Sequence, residues 1–181
     1  MLSLSKVADA RVFHPEAPAD ILDAQVSLTV RYVDPSGETR EGVMIVHQDV
    51  VEDVHELFEE MLRRRFPLTR VTPASDPAFD WDDAKMMAAD NSSGFNYRKI
   101  AGTDRLSYHA FGRAIDLNPA LNPYIRNGRV EPLGATYDLN KPGTIGPDSF
   151  IVEFLEARGW TWGGRWTDPI DYQHFQKPEL P

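Results

Sequence analysis

Two histidines and two aspartates lie close together in two short segments of the sequence, the first of which is otherwise rich in small and apolar residues. His109 and Asp116 are seven residues apart in "SYHAFGRAIDLNP", and His174 follows Asp171 by three residues in "DYQHF". An offset of seven would place the first pair on opposite faces of a continuous strand, because side chains alternate along a strand. Gly112 lies between them and permits a turn, so the two side chains can converge. We therefore expect a polar site at this turn.

Imidazole and carboxylate groups are the ligands from which a metal site in this chain would be built. The chain has no cysteine, which excludes disulfides, thiolate nucleophiles and zinc–thiolate sites. His109, Asp116 and His174 would supply three protein ligands and leave a fourth position open. Catalytic zinc is held in this way, whereas structural zinc has four protein ligands. The sequence thus favours one catalytic zinc ion on these three residues.

Hydrolysis at such a site needs a general base and a group that stabilises the oxyanion. Asp171 precedes His174 by three residues, so its carboxylate would lie close to a ligand without coordinating, as a general base should. Arg98 occurs in "FNYRKI", eleven residues before His109. Its guanidinium stays charged and can donate two hydrogen bonds to a carbonyl or carboxylate oxygen. We predict catalytic roles for Asp171 and Arg98.

A simpler interpretation is that these polar residues satisfy one another in an ordinary α+β domain. His–Asp pairs at this spacing also arise by chance, so the pair alone is weak evidence for a metal. Three tryptophans in "GWTWGGRW" are more typical of core and rim packing than of a substrate platform: Trp160, Trp162 and Trp166. The remaining histidines have no partner pattern and are expected to be solvated: His14, His47 and His55.

Composition narrows the classes of partner. The chain of 181 residues carries a net charge of -9, so a nucleic-acid partner is not expected. No apolar run approaches the roughly 20 residues of a membrane helix. The first twenty residues lack the apolar core of a secretory signal, which predicts a cytosolic or mature form. The length fits one domain, and we expect a monomer.

Periodicity predicts the elements that must position the site. "QVSLTVRYVD" and "VMIVH" alternate as strands around the turn "DPSG", which predicts a hairpin. A helix is expected from a cap at Asp49 to the arginines before Pro67. Short elements follow, namely a helix in "DWDDAKMMAAD" and a strand in "RAIDLN".

The second half of the chain is predicted to be irregular, with one clear helix. Residues 119–147 are rich in Pro, Gly and Asn and are expected to form a long loop. "DSFIVEFLEARG" predicts a helix capped by Asp148 that ends at Gly159, and a terminal strand follows. We expect an extended arm over residues 1–20 and one α+β domain over 21–181, with a small, mainly antiparallel sheet flanked by helices.

The motifs resemble those of the zinc D-alanyl-D-alanine carboxypeptidase/L-alanyl-D-glutamate endopeptidase family, peptidase family M15 (VanY-like). "SYHAFGRAID" fits the family pattern S-x-H-x-x-G-x-A-x-D at every fixed position. "WGGRW…DYQHF" is similar to the second family signature, and "SSGFNYR" to the segment that contributes an arginine. The resemblance covers residues 91–176, about half of the chain.

The resemblance implies roles for individual residues. Zinc would be bound by His109, Asp116 and His174, with Asp171 as base and Arg98 polarising the carbonyl. Ser107 would support the site by hydrogen bonding. Further candidate substrate-binding residues are Tyr97, Trp162 and Tyr172.

The resemblance also implies a fold and a substrate. The fold would be the small α+β domain shared with the vancomycin-resistance D,D-dipeptidases and the Hedgehog signalling domain. The substrate would be a peptidoglycan stem peptide, so a cell-wall, periplasmic or secreted site of action is expected. The activity would be that of a D,D-carboxypeptidase or an L-Ala-D-Glu-type endopeptidase, and Asp171 in place of Glu favours the latter. A non-catalytic zinc-containing binding module of the same fold is the alternative.

Overall fold

The computed structural model describes residues 14–178. Residues 1–13, most of the predicted arm over residues 1–20, lie outside the described residues. The first described element begins inside that range, because Ala19–Asp23 forms a short helix. No helix in the described part of the chain is long and apolar enough to span a membrane.

Short strands alternate with a few helices along the chain. The helices are α1 (Ala19–Asp23), α2 (Val51–Arg63), α3 (Asp83–Ala88) and α4 (Phe150–Glu156). The strands are β1 (Gln25–Val33), β2 (Thr39–His47), β3 (Arg70–Val71), β4 (Asn91–Ser92), β5 (Ala114–Asp116), β6 (Tyr124–Arg126), β7 (Arg129–Glu131), β8 (Thr161–Trp162), β9 (Ile170–Asp171) and β10 (His174–Gln176).

The predicted hairpin and helix are confirmed and form a large part of the main core, although Asp49 does not cap α2, which follows a 3-10 turn over Gln48–Val50. β1 and β2 pair antiparallel over all nine residues, and α2 packs against the hairpin. One face of α2 is buried, as its helical spacing predicts: Val54, Leu57, Phe58 and Met61. This face meets apolar side chains of both strands, including Leu28, Val30 and Met44. Each large apolar side chain buried here stabilises the fold by about 1.5–3 kcal/mol.

Two small antiparallel sheets position the polar residues. The first has the order β5-β10-β8, and its register makes His174 the direct partner of Asp116. Directly opposed residues project their side chains on the same face, about 5 Å apart. The second has the order β7-β6-β9 and pairs Tyr124 with Asp171.

The architecture is mixed α and β with mainly antiparallel strands, which confirms the predicted class at that level. The expected single sheet is instead divided into four small ones within residues 14–178, of which β3–β4 is parallel. The predicted loop over residues 119–147 contains the hairpin β6–β7, because the turn at Asn127 and Gly128 adopts positive φ. Ser149 rather than Asp148 caps α4, since its hydroxyl accepts from the Ile151 amide at 3.3 Å.

Candidate metal centre

A tight turn directs His109 into the site. Residues 108–111 form one 3-10 turn. The Ser107 hydroxyl caps the start of this turn by accepting a hydrogen bond from the His109 amide at 3.3 Å. Gly112 ends the turn with a φ of 66°, a left-handed conformation that favours glycine. A Cβ at this position would lie 2.6 Å from the backbone nitrogen of His47. Glycine is therefore required, and the chain reverses here into β5.

Three side chains converge on one point. His109 Nε2 lies 3.1 Å from an Asp116 carboxylate oxygen and 3.1 Å from His174 Nδ1, and His174 Nδ1 lies 3.0 Å from the other Asp116 oxygen. All three residues are buried, and their ligand atoms lie within 4.8 Å of one another. Ligands about 2.0–2.1 Å from a tetrahedral zinc ion would be about 3.3 Å apart. The observed separations therefore fit zinc after small adjustments.

The second nitrogen of each imidazole has its own partner. His109 Nδ1 lies 2.6 Å from the Gly94 carbonyl oxygen, and His174 Nε2 lies 3.0 Å from the Gln176 side-chain oxygen. A ring N–H that donates to such an oxygen leaves the other ring nitrogen with a free lone pair. His109 Nε2 and His174 Nδ1 are thus oriented as ligand atoms, which supports a metal at the point where they meet.

Mutual interaction strongly changes the pKa values of Asp116 and His174. Burial opposes ionisation of Asp116, but the neighbouring histidines hold its pKa well below the usual range. Burial likewise disfavours a charged His174, yet the hydrogen bond to Asp116 and its charge raise the pKa of His174 to about 9. The carboxylate therefore attracts positive charge into this pocket, which a bound cation would supply.

Asp171 lies beside the three candidate ligands without joining them. Gly163 allows the close approach, because a Cβ there would lie 2.9 Å from the Asp171 Cβ. Burial and the nearby Asp116 charge raise the pKa of Asp171 to about 7, although His174 and Arg98 act in the opposite direction. Asp171 Oδ1 is buried and has no hydrogen-bond partner within residues 14–178. A carboxyl group in this state can take up and release a proton near neutral pH.

Arg98 is held by an acidic residue that the sequence did not single out. Its Nη2 lies 3.1 Å from the Asp83 carboxylate at the start of α3. Arg98 Nε is buried and has no partner among the residues that the structure describes. Buried polar groups without partners are uncommon in proteins, so this N–H group is available to a ligand.

A cleft of about 160 Å³ adjoins Asp116 and His174. It is lined by Asp83, Met87, Arg98, Ile100, Ala101, Ser107, Tyr108, Asp116, Tyr124, Glu131, Trp166, Pro169, Asp171, Gln173, His174 and Gln176. The hairpin β6–β7 from the predicted loop contributes Tyr124 and Glu131. The cleft thus brings together both predicted catalytic residues, two predicted ligands and Ser107.

The other predicted substrate-binding residues lie elsewhere. Trp162 is buried in the core, where its indole stacks near Phe175 and its Nε1 donates to the Tyr172 carbonyl at 2.9 Å. The Tyr172 ring stacks on Tyr137 at 3.6 Å. Tyr97 lies 5.4 Å from the His14 ring. None of the three predicted residues lines the cleft as the described residues form it.

Several polar residues at the site carried no recognised signal in the sequence. Gln176 could have been identified, since it lies two residues after His174 on the same face of β10. Asp83 and Gln173 could not, because they are brought to the cleft by α3 and by the link between β9 and β10. His14 is buried against the Trp81 ring, at 4.6 Å, and is not solvated.

Comparison with known protein families supports the resemblance that the motifs indicate. A peptidase M15 family model, described as D-alanyl-D-alanine carboxypeptidase, matches residues 101–177. This match confirms the resemblance to family M15 over a segment that contains His109, Asp116, Asp171 and His174, while Arg98 lies just before it. No curated protein and no solved structure matches the chain.

Proposed function

We propose that this chain, whose residues 101–177 match the M15 peptidases, is a zinc-dependent peptidase acting on peptidoglycan stem peptides. The observation that carries the proposal is the convergence of His109, Asp116 and His174 beside Asp171, with ligand-atom separations of 3.0–3.1 Å. Zinc would be held by the first three residues. When bound, it would supply Lewis-acid activation of the scissile carbonyl and of the attacking water.

Asp171 would act as the general base and then as the general acid of the reaction. Its Oδ1 has no partner within the described residues, and its pKa is raised to about 7, chiefly by burial. The carboxylate would accept a proton from the attacking water as the new C–O bond forms. It would then give that proton to the amine nitrogen as the C–N bond breaks. Positioned general acid–base catalysis of this kind contributes about 10²–10⁴ in rate.

Arg98 would stabilise the charge that develops on the carbonyl oxygen. The salt bridge to Asp83 holds one end of the guanidinium, and Nε remains free to donate. A donor that is fixed before the reaction favours the oxyanion over the neutral carbonyl, because no reorganisation is needed as charge forms.

Digestion of purified muropeptides by the zinc-loaded protein tests this function. We expect new termini by mass spectrometry, and loss of cleavage in a chelator-treated sample and in His109→Ala. Release of a terminal D-alanine would identify a D,D-carboxypeptidase, whereas two internal fragments would identify an endopeptidase, which Asp171 favours. A zinc-loaded protein that binds muropeptides without cutting them would contradict the peptidase and support the binding module.

A further inference from the structure

Gln173 lines the cleft and has an unpaired hydrogen-bond acceptor. The residue is only 2% exposed and lines the cleft next to Asp171 and His174. Its side-chain oxygen, Oε1, is buried and has no hydrogen-bond partner within residues 14–178. An unsatisfied buried acceptor destabilises a protein unless a ligand supplies the donor. Gln173 is therefore a candidate contact for whatever occupies the cleft.

The rest of the residue is held in place by the protein. The Gln173 backbone carbonyl accepts from the Leu117 amide at 3.1 Å, which continues the pairing between β5 and β10. The side-chain nitrogen lies 3.6 Å from Met87 Sδ, and the Gln173 side chain opposes the rise in the pKa of the neighbouring Asp171. These contacts engage the NH₂ group and leave Oε1 as the free end of the amide.

We propose that Gln173 Oε1 accepts a hydrogen bond from a backbone N–H of the bound peptide, next to the scissile bond. The inference rests on the proposed function, because it takes the ligand to be a peptide. The unpaired donor and acceptor groups of the cleft are complementary to a peptide backbone. Arg98 Nε can donate to a peptide carbonyl, whereas Gln173 Oε1 requires a donor. Neither a carboxylate nor an ester oxygen can provide that donor.

This contact would determine specificity. A peptide unit that lacks the N–H leaves a buried carbonyl oxygen unpaired, and buried polar sites reject such analogues strongly. The protein should therefore discriminate against an ester, an N-methylated residue or a proline at one position of the substrate. The effect should appear in KM as well as in kcat/KM, because the contact forms when the peptide binds.

A scan of peptide-to-ester replacements tests the contact. Each non-scissile amide of one stem peptide is replaced in turn by an ester, and kcat/KM is measured with zinc-loaded wild type and Gln173→Met. In wild type we expect one replacement to lower kcat/KM by about tenfold, the usual effect of leaving one acceptor unpaired. Gln173→Met should lose about the same factor on the parent peptide and nothing further on that ester. Gln48→Met, the same change at an exposed position, should behave as wild type.

The outcomes separate this contact from the activity itself. Cleavage with an equal ester penalty in wild type and Gln173→Met would overturn the contact and leave the peptidase intact. If wild type does not cleave, calorimetric binding of the same peptides decides: a penalty that depends on Gln173 supports the contact and contradicts the peptidase. A wild-type protein that neither cleaves nor binds the peptides contradicts both. Zinc content and Tm of each variant show that the fold is retained.

Discussion

The hairpin β1–β2 with α2 and the polar half of the chain, residues 91–177, are built in different ways. The first has two nine-residue strands and a thirteen-residue helix, and its buried side chains are almost all apolar. The second has strands of only two or three residues and buries Asn91, His109, Asp116, Gln173 and His174. Long regular elements form a stable core, whereas short elements can change direction often enough to bring distant side chains together.

The hairpin β1–β2 with α2, the regular half, also supports the polar half. The His47 amide, at the end of β2, donates to the Gly112 carbonyl at 2.8 Å. The Phe95 amide donates to the Ile45 carbonyl at 2.7 Å, which fixes the segment whose Gly94 carbonyl faces His109. The edge of the hairpin thus holds both sides of the candidate metal centre. Because these links are backbone hydrogen bonds, side-chain substitutions in the two halves should still have separable effects, on stability and on chemistry.

The largest expected effect is on turnover, from the polar half. Asp171→Asn keeps the shape of the side chain but cannot accept a proton, so kcat should fall by about 10³-fold, equivalent to about 4 kcal/mol in the barrier. Zinc content, measured on the same sample, should be unchanged because Asp171 is not one of the converging ligands. A near-normal kcat in this variant would contradict the assignment of Asp171 as the general base.

A substitution in the regular half should act on stability instead. Leu57 is fully buried on α2, so Leu57→Ala should lower the free energy of unfolding by about 3 kcal/mol through lost burial and the remaining cavity. Urea unfolding measures this, and zinc content and kcat under native conditions should stay as in wild type. Glu59→Ala, exposed on the same helix, should cost less than about 0.5 kcal/mol. Loss of zinc by Leu57→Ala would show that the two halves are not separable.

A smaller effect is expected from the residue that orients Arg98. Asp83→Asn removes the charge partner of the guanidinium but leaves its size, and kcat/KM should fall by about tenfold, or about 1.4 kcal/mol. Asp104→Asn provides the matched control, because Asp104 makes an exposed salt bridge with Lys99 away from the cleft. If both variants were as active as wild type, the orientation of the Arg98 guanidinium would not depend on Asp83.

The smallest effect concerns the exposed surface of α2. Hydrogen bonds from Arg63 and Arg64 lower the pKa of Glu60 from 4.5 to about 2. Because the folded-state pKa is the lower one, this stabilisation is present above pH 4.5 and is lost as the pH falls towards 2. Glu60→Gln should therefore be slightly less stable than wild type at pH 7, with a difference that shrinks between pH 5 and 3. A difference that is constant over this range would contradict the assignment.

The regular half could be predicted from the sequence because its signals are local. Alternation in "QVSLTVRYVD" and helical spacing after Asp49 depend only on neighbouring residues, and both elements are confirmed. In the polar half, "SYHAFGRAID" predicted a turn at Gly112, and its φ of 66° agrees. That motif and "DYQHF" also directed attention to His109, Asp116 and His174, which the structure brings together.

The remaining features depend on contacts between distant segments. Asp83 reaches Arg98 only because α3 packs beside the cleft, and Gln173 is buried only because β9 and β10 are linked there. Trp162 faces the core because β8 pairs with β10, with Phe175 as its direct partner. Such placements follow from sheet order and register, which no local pattern in this sequence specifies.

The zinc content of purified wild type and His109→Ala, after dialysis against trace zinc, tests the central claim most directly. The geometry of His109 Nε2, His174 Nδ1 and the Asp116 carboxylate predicts one zinc ion per wild-type chain. It predicts essentially none in His109→Ala, because two ligands hold zinc far more weakly than three. Full zinc in the variant, or none in wild type, would contradict the proposed metal centre.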